Sequence, residues 1–195
     1  RYYTGTPSFL NILLEKADEL GVAVDSLERG LVTAEPLPGD LVNHFRDRGI
    51  EVFECYGTAD LGLIAYQTEA REGLVVDEDV IVEIVHPGTG TPVAEGEVGE
   101  VVVTTLNPDY PLIRFATGDM SAVMTEPSPC GRTNTRIKGW MGRADQTAKV
   151  KGLFVHPQQI ARVSERHPEV QKARAQITRE NEQDVLTLVC EAAGG

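Results

Sequence analysis

The apolar residues of this chain change their period part-way along, and that change limits the folds open to it. Up to about residue 72, helix-spaced sets alternate with short apolar runs, whereas from Gly73 onward the pattern is repeated β-branched alternation. Leu10, Leu13, Leu14, Ala17 and Leu20 predict a core-facing helix, with Ser8 after Pro7 as its cap and Gly21 as its stop. Residues 31–34 then read as a buried strand, residues 35–39 as a loop, Leu41 to Arg48 as a second helix closed by Gly49, and Ile50 to Cys55 as another strand. Such alternation predicts part of a parallel sheet covered by helices, in which ligands gather at the carboxyl ends of strands. Two such ends are Ala34-Glu35-Pro36 and Tyr56-Gly57.

Between Gly73 and Lys138, strand-like runs recur at Val80 to Val85, Val98 to Thr105, Leu112 to Phe115 and Ala122 to Thr125, separated by turns such as Pro87-Gly-Thr-Gly90 and Asn107-Pro108. Short strands at this spacing predict an antiparallel, barrel-like subdomain. Pro157 opens a helix to about Glu165, and Val170 to Thr178 and Val185 to Cys190 read as two strands around a polar turn. The expected architecture is therefore α/β plus β: residues 1–72 end an α/β part, residues 73–144 form the barrel-like part, and residues 145–195 begin a small α+β domain.

A net charge of −12 argues against a nucleic-acid groove and an anionic membrane surface, since both favour basic patches. Cys55, Cys130 and Cys190 are odd in number and widely spaced, which argues against a disulfide framework and for a reducing, cytoplasmic setting. No apolar run approaches the length of a membrane span. The chain starts at Arg1 without an initiator Met, so a piece of a longer protein is expected.

The run Pro111-Leu-Ile-Arg-Phe-Ala-Thr-Gly-Asp119 sets a carboxylate where a strand is expected to give way to a tight turn. A carboxylate so placed suits two neighbouring hydroxyls, as a ribose offers; an ordinary turn is the other reading. Two readings also stay open for Arg114 and Arg132, whose guanidinium forks match phosphate oxygens but lie beside carboxylates that would pair with them. Glu97 and Glu100 read as solvated turn carboxylates.

The order of Tyr56-Gly-Thr-Ala-Asp60, Gly96-Glu-Val-Gly-Glu100, Pro111 to Asp119, Cys130-Gly-Arg-Thr133, Gly142-Arg-Ala-Asp145 and Lys151-Gly-Leu-Phe-Val-His-Pro157 resembles the adenylate-forming enzymes, and within them the phenylacetate-coenzyme A ligase family. The resemblance runs from about Thr6 to Ile160. It implies an enzyme that uses ATP and magnesium to activate a carboxylic acid as an acyl-adenylate and then passes the acyl group to coenzyme A. It gives Ala34, Glu35 and Pro36 the turn beside the adenine, and Tyr56, Gly57 and Thr58 the loop whose ring can lie against the purine. Tyr56 as a plug at the sheet end is the alternative. It gives Asp119 the ribose, Arg143 the ribose and phosphate, Asp145 a hinge between two half-reactions, and Lys151, with Lys149 and Gly152, a loop that swings over the site. Asp60 stands where the family usually carries a magnesium-binding Glu, and Ala59 replaces a usual Ser or Thr, so a water-bridged metal contact is expected. Some relatives hold a structural zinc, but Thr68, Val75 and Ser128 stand at three of the ligand positions and leave Cys130, so no zinc is expected.

The resemblance also puts the phosphate-wrapping loop upstream of Arg1 and a catalytic lysine beyond Gly195, so the isolated chain is expected to be nearly inactive. The expected partners are a small carboxylic acid, ATP and coenzyme A, with AMP as product, and a homodimer is left open. Two rivals remain: a nucleotide-binding relative without chemistry, and an adenylating enzyme with a different acyl acceptor. Thr6 to Ser8 and a loop around Leu61 to Ala65 are expected to border the acyl site.

Overall fold

The computed structural model describes residues 1–146, 148–150, 153–155, 157–180 and 183–192. In chain order the elements of the first part are β1 (Tyr2–Gly5), α1 (Pro7–Leu20), β2 (Arg29–Val32), α2 (Gly39–Asp47), β3 (Glu51–Thr58), β4 (Gly62–Tyr66), β5 (Leu74–Val76), β6 (Val80–Val85), β7 (Gly99–Thr105), β8 (Phe115–Ser121), β9 (Val123–Met124) and β10 (Arg136–Ile137). After a 3-10 turn at Ala144–Gln146 come β11 (Ala148–Val150), β12 (Leu153–Val155), α3 (Pro157–Glu165), β13 (Val170–Glu180) and β14 (Gln183–Ala192). Contacts divide the chain into two compact units, Arg1–Thr117 with Ser121–Gly139, and Gly118–Met120 with Trp140–Gly195.

In the first unit β1, β2 and β3 are parallel, and the same sheet continues antiparallel through β4, β5, β10 and β9. The change of direction occurs at the β3–β4 hairpin, so the α/β part and the antiparallel part share one seven-stranded sheet. A separate three-stranded sheet has the order β6-β7-β8. Leu10, Leu14, Val32, Phe45, Ile50 and Val52 form the core between the helices and the parallel strands. A second cluster joins Ile64, Ala65, Leu74, Val76, Ile84, Val101, Val103 and Ile137 from both sheets. Each Val, Leu, Ile or Phe among them contributes about 1.5–3 kcal/mol when removed from water.

Several sequence expectations change in detail. The cap of α1 is Thr6, whose hydroxyl accepts from Phe9 N at 3.3 Å with Pro7 in the first turn, and Ser8 lies inside the helix. Leu13 and Leu20 are 44% and 66% exposed, because the buried stripe follows Pro7, Leu10, Leu14 and Ala17. Leu61 to Ala65, expected as a loop, is a turn and the start of β4, with Ile64 and Ala65 fully buried in the second cluster and Leu63 exposed. The strand expected at Leu112 to Phe115 begins at Phe115 and runs to Ser121, so Asp119 lies within a strand. Gly118 makes this continuation by adopting φ +73° inside β8.

In the second unit β11 pairs with β12 and β13 with β14, both antiparallel. Lys151 and Gly152 lie outside the described residues.

Candidate active site

The carboxyl ends of the parallel strands are built by backbone. Thr33 N donates to Gly5 O at 3.1 Å, tying the exit of β2 to that of β1. Ala34 then turns with φ +67°, a left-handed conformation that costs a non-glycine residue about 1–2 kcal/mol and that leaves Ala34, Glu35 and Pro36 exposed. Glu35 reaches the first turn of α1, where its Oε2 accepts from Ser8 N at 3.3 Å, and its charge complements the positive end of that helix. Tyr3, on β1, donates its hydroxyl to Thr6 O at 2.9 Å. Its phenol pKa is raised by burial first and by the Glu35 charge second.

Next along this edge, Tyr56 is half-buried against the second hydrophobic cluster. Gly57 follows where β3 meets β4 so closely that a Cβ would run into the Gly62 carbonyl. Thr58 Oγ1 accepts from Leu61 N at 3.1 Å and closes the hairpin, leaving Asp60 exposed in its turn. Beneath this edge Glu54 is half-buried, and desolvation raises its carboxyl pKa against the opposing effects of Leu37 N–H and Arg71.

In the second unit, side chains rather than backbone turns make the arrangement. Met120 N donates to Gly142 O and Met141 N to Met120 O, both at 2.8 Å, and Asp119 and Arg143 form an antiparallel bridge. The two segments therefore lie edge to edge. Arg143 Nη1 donates to Asp119 Oδ1 at 3.1 Å, and Arg143 Nε lies 3.5 Å from Asp145 Oδ1. One guanidinium thus joins both carboxylates that sequence had singled out. Asp145 is 72% exposed on its 3-10 turn while Asp119 is only 14% exposed, so the pair with Asp119 is the better shielded of the two. The bond to Asp119 is also the main cause that raises the Arg143 pKa. A Cβ at Gly118 would lie 2.5 Å from Arg143 Nη2, so the guanidinium occupies space that only glycine leaves.

The two undecided arginines make ion pairs. Arg114 Nε lies 3.0 Å from Glu83 and its Nη2 donates to Gly90 O at 2.8 Å. Arg132 Nη1 lies 3.2 Å from Glu78, and its guanidinium sits 5.6 Å from the Tyr66 ring centre. Ser128 Oγ is 3.0 Å from Cys130 Sγ; this contact first, then Arg132 N–H and the Thr68 hydroxyl, bring the Cys130 thiol down to about 7. Two residues escaped sequence reasoning. Trp140 donates its indole N–H to Asp119 Oδ1 at 3.1 Å, and its position between Gly139 and the Gly142 motif was the available signal. Arg136, 3% exposed, donates to the carbonyls of Glu72, Glu126 and Pro127 at 2.7–3.1 Å, a role that no local pattern announces.

Residues 1–107 match the model of the AMP-binding enzyme family. Phenylacetate-coenzyme A ligase of Thermus thermophilus is 35% identical over 174 residues, covering 85% of this chain and 39% of the relative. The Escherichia coli enzyme of the same name is 33% identical over 164 residues, covering 80% and 37%. A structure of 2-hydroxyisobutyryl-CoA ligase, in an open conformation with 2-HIB-AMP and CoA, superposes with a TM-score of 0.83 at 25% identity, covering 98% of this chain and 44% of that one. O-succinylbenzoate coenzyme A synthetase of Bacillus subtilis shares the fold with a TM-score of 0.68 at 17% identity, over all of this chain and 44% of that one. The chain belongs to the AMP-binding enzyme family and carries part of the adenylate-forming fold. It spans about two fifths of the length of the curated relatives it matches.

Proposed function

We propose that this chain is the nucleotide-binding portion of an ATP-dependent acid–thiol ligase that forms AMP, acting on a carboxylic acid of the phenylacetate kind. The observation that carries this reading is the single guanidinium of Arg143 bonded to Asp119 and set beside Asp145. A carboxylate held in place by a cation is prepared to take ribose hydroxyls, and the Asp145 turn beside it suits a hinge. Ala34, Glu35 and Pro36 would line the adenine, with Tyr56, Gly57 and Thr58 on its other side. The half-buried Tyr56 keeps ring surface for stacking, worth about 1–3 kcal/mol by analogy with bases on aromatic rings. Asp60 is an exposed carboxylate, which fits magnesium because that ion commonly takes one or two carboxylates together with substrate phosphates. Lys151 would bring positive charge to the reacting phosphate.

In the proposed reaction the substrate carboxylate attacks the α-phosphate of ATP and pyrophosphate leaves. The coenzyme A thiol then displaces AMP from the acyl-adenylate and loses its proton, giving a thioester. This chain's residues bind and orient; none acts as a general-base dyad. The names of the curated relatives support coenzyme A as the acceptor. A cytoplasmic setting belongs to the same reading and is supported by the free thiols of Cys55, Cys130 and Cys190.

The test is pyrophosphate release from ATP with phenylacetate, with and without coenzyme A. The parent protein is expected to turn over and to give a thioester by product mass, and the isolated chain to bind AMP with little turnover. AMP binding by a parent that releases no pyrophosphate with any carboxylic acid would instead identify a non-catalytic relative, a reading that Ala59 and Asp60 favour. An adduct other than the thioester would reassign the acceptor.

A further inference from the structure

Trp140 and Arg143 reach the same carboxylate oxygen. The indole Nε1 donates to Asp119 Oδ1 at 3.1 Å, and Arg143 Nη1 donates to that oxygen at 3.1 Å. One donor leaves a carboxylate able to rotate about its Cβ–Cγ bond, because that torsion is broad. Donors from two different residues on one oxygen restrict that rotation more than either does alone. The backbone fixes where the indole starts: Met141 N donates to Met120 O, one residue past Asp119. Burial does not account for the ring, since Trp140 is 51% exposed while the carboxylate it touches is 14% exposed. A tryptophan serving as a hydrophobic plug would be hidden; this one directs its polar edge at the better buried group.

We propose that Trp140 is a positioning residue that, with Arg143, holds the Asp119 carboxylate in the attitude that receives the nucleotide's ribose. The proposal rests on the reading of Asp119 as the ribose ligand given above. A carboxylate already ordered loses less conformational freedom when the ligand arrives, so the indole N–H raises nucleotide affinity without touching the nucleotide.

The experiment compares AMP binding by calorimetry for the wild-type chain, W140F, D119A and the double variant, with melting curves for each. Phe at 140 keeps most of the ring and deletes the N–H donor. W140F is expected to weaken AMP binding about 3- to 10-fold, the scale of one hydrogen bond to a charged group acting indirectly. D119A is expected to weaken it further, and the double variant to match D119A alone, because Trp140 acts through Asp119. Additive losses, or an unchanged W140F affinity, would overturn the proposal.

A second readout does not involve the nucleotide. Trp140 is the chain's single tryptophan, so its indole gives one nitrogen–proton resonance. D119A is expected to shift that resonance and speed its exchange with water, and D119N, which keeps the side-chain shape, repeats the measurement if D119A does not fold. A resonance indifferent to both substitutions overturns the positioning role. If the wild-type chain binds no AMP while the resonance answers to Asp119, the positioning of Asp119 is supported and it is the nucleotide reading that fails.

Discussion

Glu35 and Asp119 are both carboxylates that follow a residue with positive φ, yet different forces keep them there. Glu35 follows a left-handed Ala34 at the exit of β2, an edge whose foundation is the wholly buried set of Leu10, Leu14, Phe45 and Ile50. Asp119 is kept by donors from Arg143 and Trp140, side chains 41% and 51% exposed. The first region rests chiefly on packing, with a charge–helix contact at Glu35 itself, and the second chiefly on charge, whose exposed part is screened over about 10 Å at ordinary ionic strength. The two carboxylates are therefore held by interactions that answer differently to a change of salt.

The largest expected effect breaks the packed region. Phe45→Ala removes a fully buried ring from beneath the parallel strands and is expected to cost about 3–5 kcal/mol, seen as a fall in thermal midpoint. A loss below about 1 kcal/mol would mean that packing does not fix this edge. Next in size is Gly118→Ala. A methyl there meets the Arg143 guanidinium, and φ +73° disfavours any side chain, so about 1–2 kcal/mol of stability is expected to go together with AMP affinity. Smaller still in stability is Asp119→Asn, which deletes the charge of an ion pair whose arginine is 41% exposed: under about 1 kcal/mol on melting. The Asp119–Arg143–Asp145 bracket should then separate from the packed edge in one further way. Raising salt to about 1 M, where screening reaches 3 Å, should weaken AMP binding while leaving the Phe45 penalty unchanged.

The same contrast explains what the sequence could tell. Packing leaves a periodic trace, so α1 and β6 were legible from apolar spacing, while α2 and the α3 span from Pro157 to Glu165 were legible from the Gly49 and Pro157 boundary signals. It misplaced Leu61 to Ala65 because a buried strand after a glycine carries no alternation to read. It ended the strand before Asp119 because Thr-Gly-Asp is ordinarily a turn, whereas here Gly118 takes a positive φ within β8 and the chain runs on to Ser121. Motif order gave the residues of the bracket, Asp119, Arg143 and Asp145, but not its bonding. Trp140 and Arg136 act through partners up to 64 residues away, and no local pattern encodes such distances.

Two thiols probe the comparison by pH. Cys130 is exposed and its thiol is brought to about 7, chiefly by Ser128, while burial first of all pushes the Cys55 thiol up. Iodoacetamide is therefore expected to label Cys130 at half its maximal rate near pH 7 and Cys55 only in more alkaline solution. Ser128→Ala should move the Cys130 midpoint upward. Because the folded Cys130 pKa is the depressed one, its contribution to stability is present above the unfolded thiol range and is lost as pH falls through about 7. Equal labelling of the two thiols at neutral pH would contradict both environments.

The smallest effect tests whether the packed edge tolerates charge at all. Glu54 lies half-buried on β3, and desolvation outweighs the Leu37 N–H and Arg71 to raise its carboxyl pKa. A raised folded pKa means that folding favours the protonated form. Its contribution to stability is thus fully present below the ordinary carboxylate range, falls as pH rises to the raised value, and is absent at neutral pH. Glu54→Gln keeps an acceptor for the Leu37 N–H and has no charge to desolvate. The variant should melt slightly above the wild type near pH 7, and the two should converge in acid, below the ordinary carboxylate range, where Glu54 itself is protonated. A variant that melts lower at neutral pH would show that Arg71 makes the ionised Glu54 favourable, and that the edge is held by charge as well as by packing.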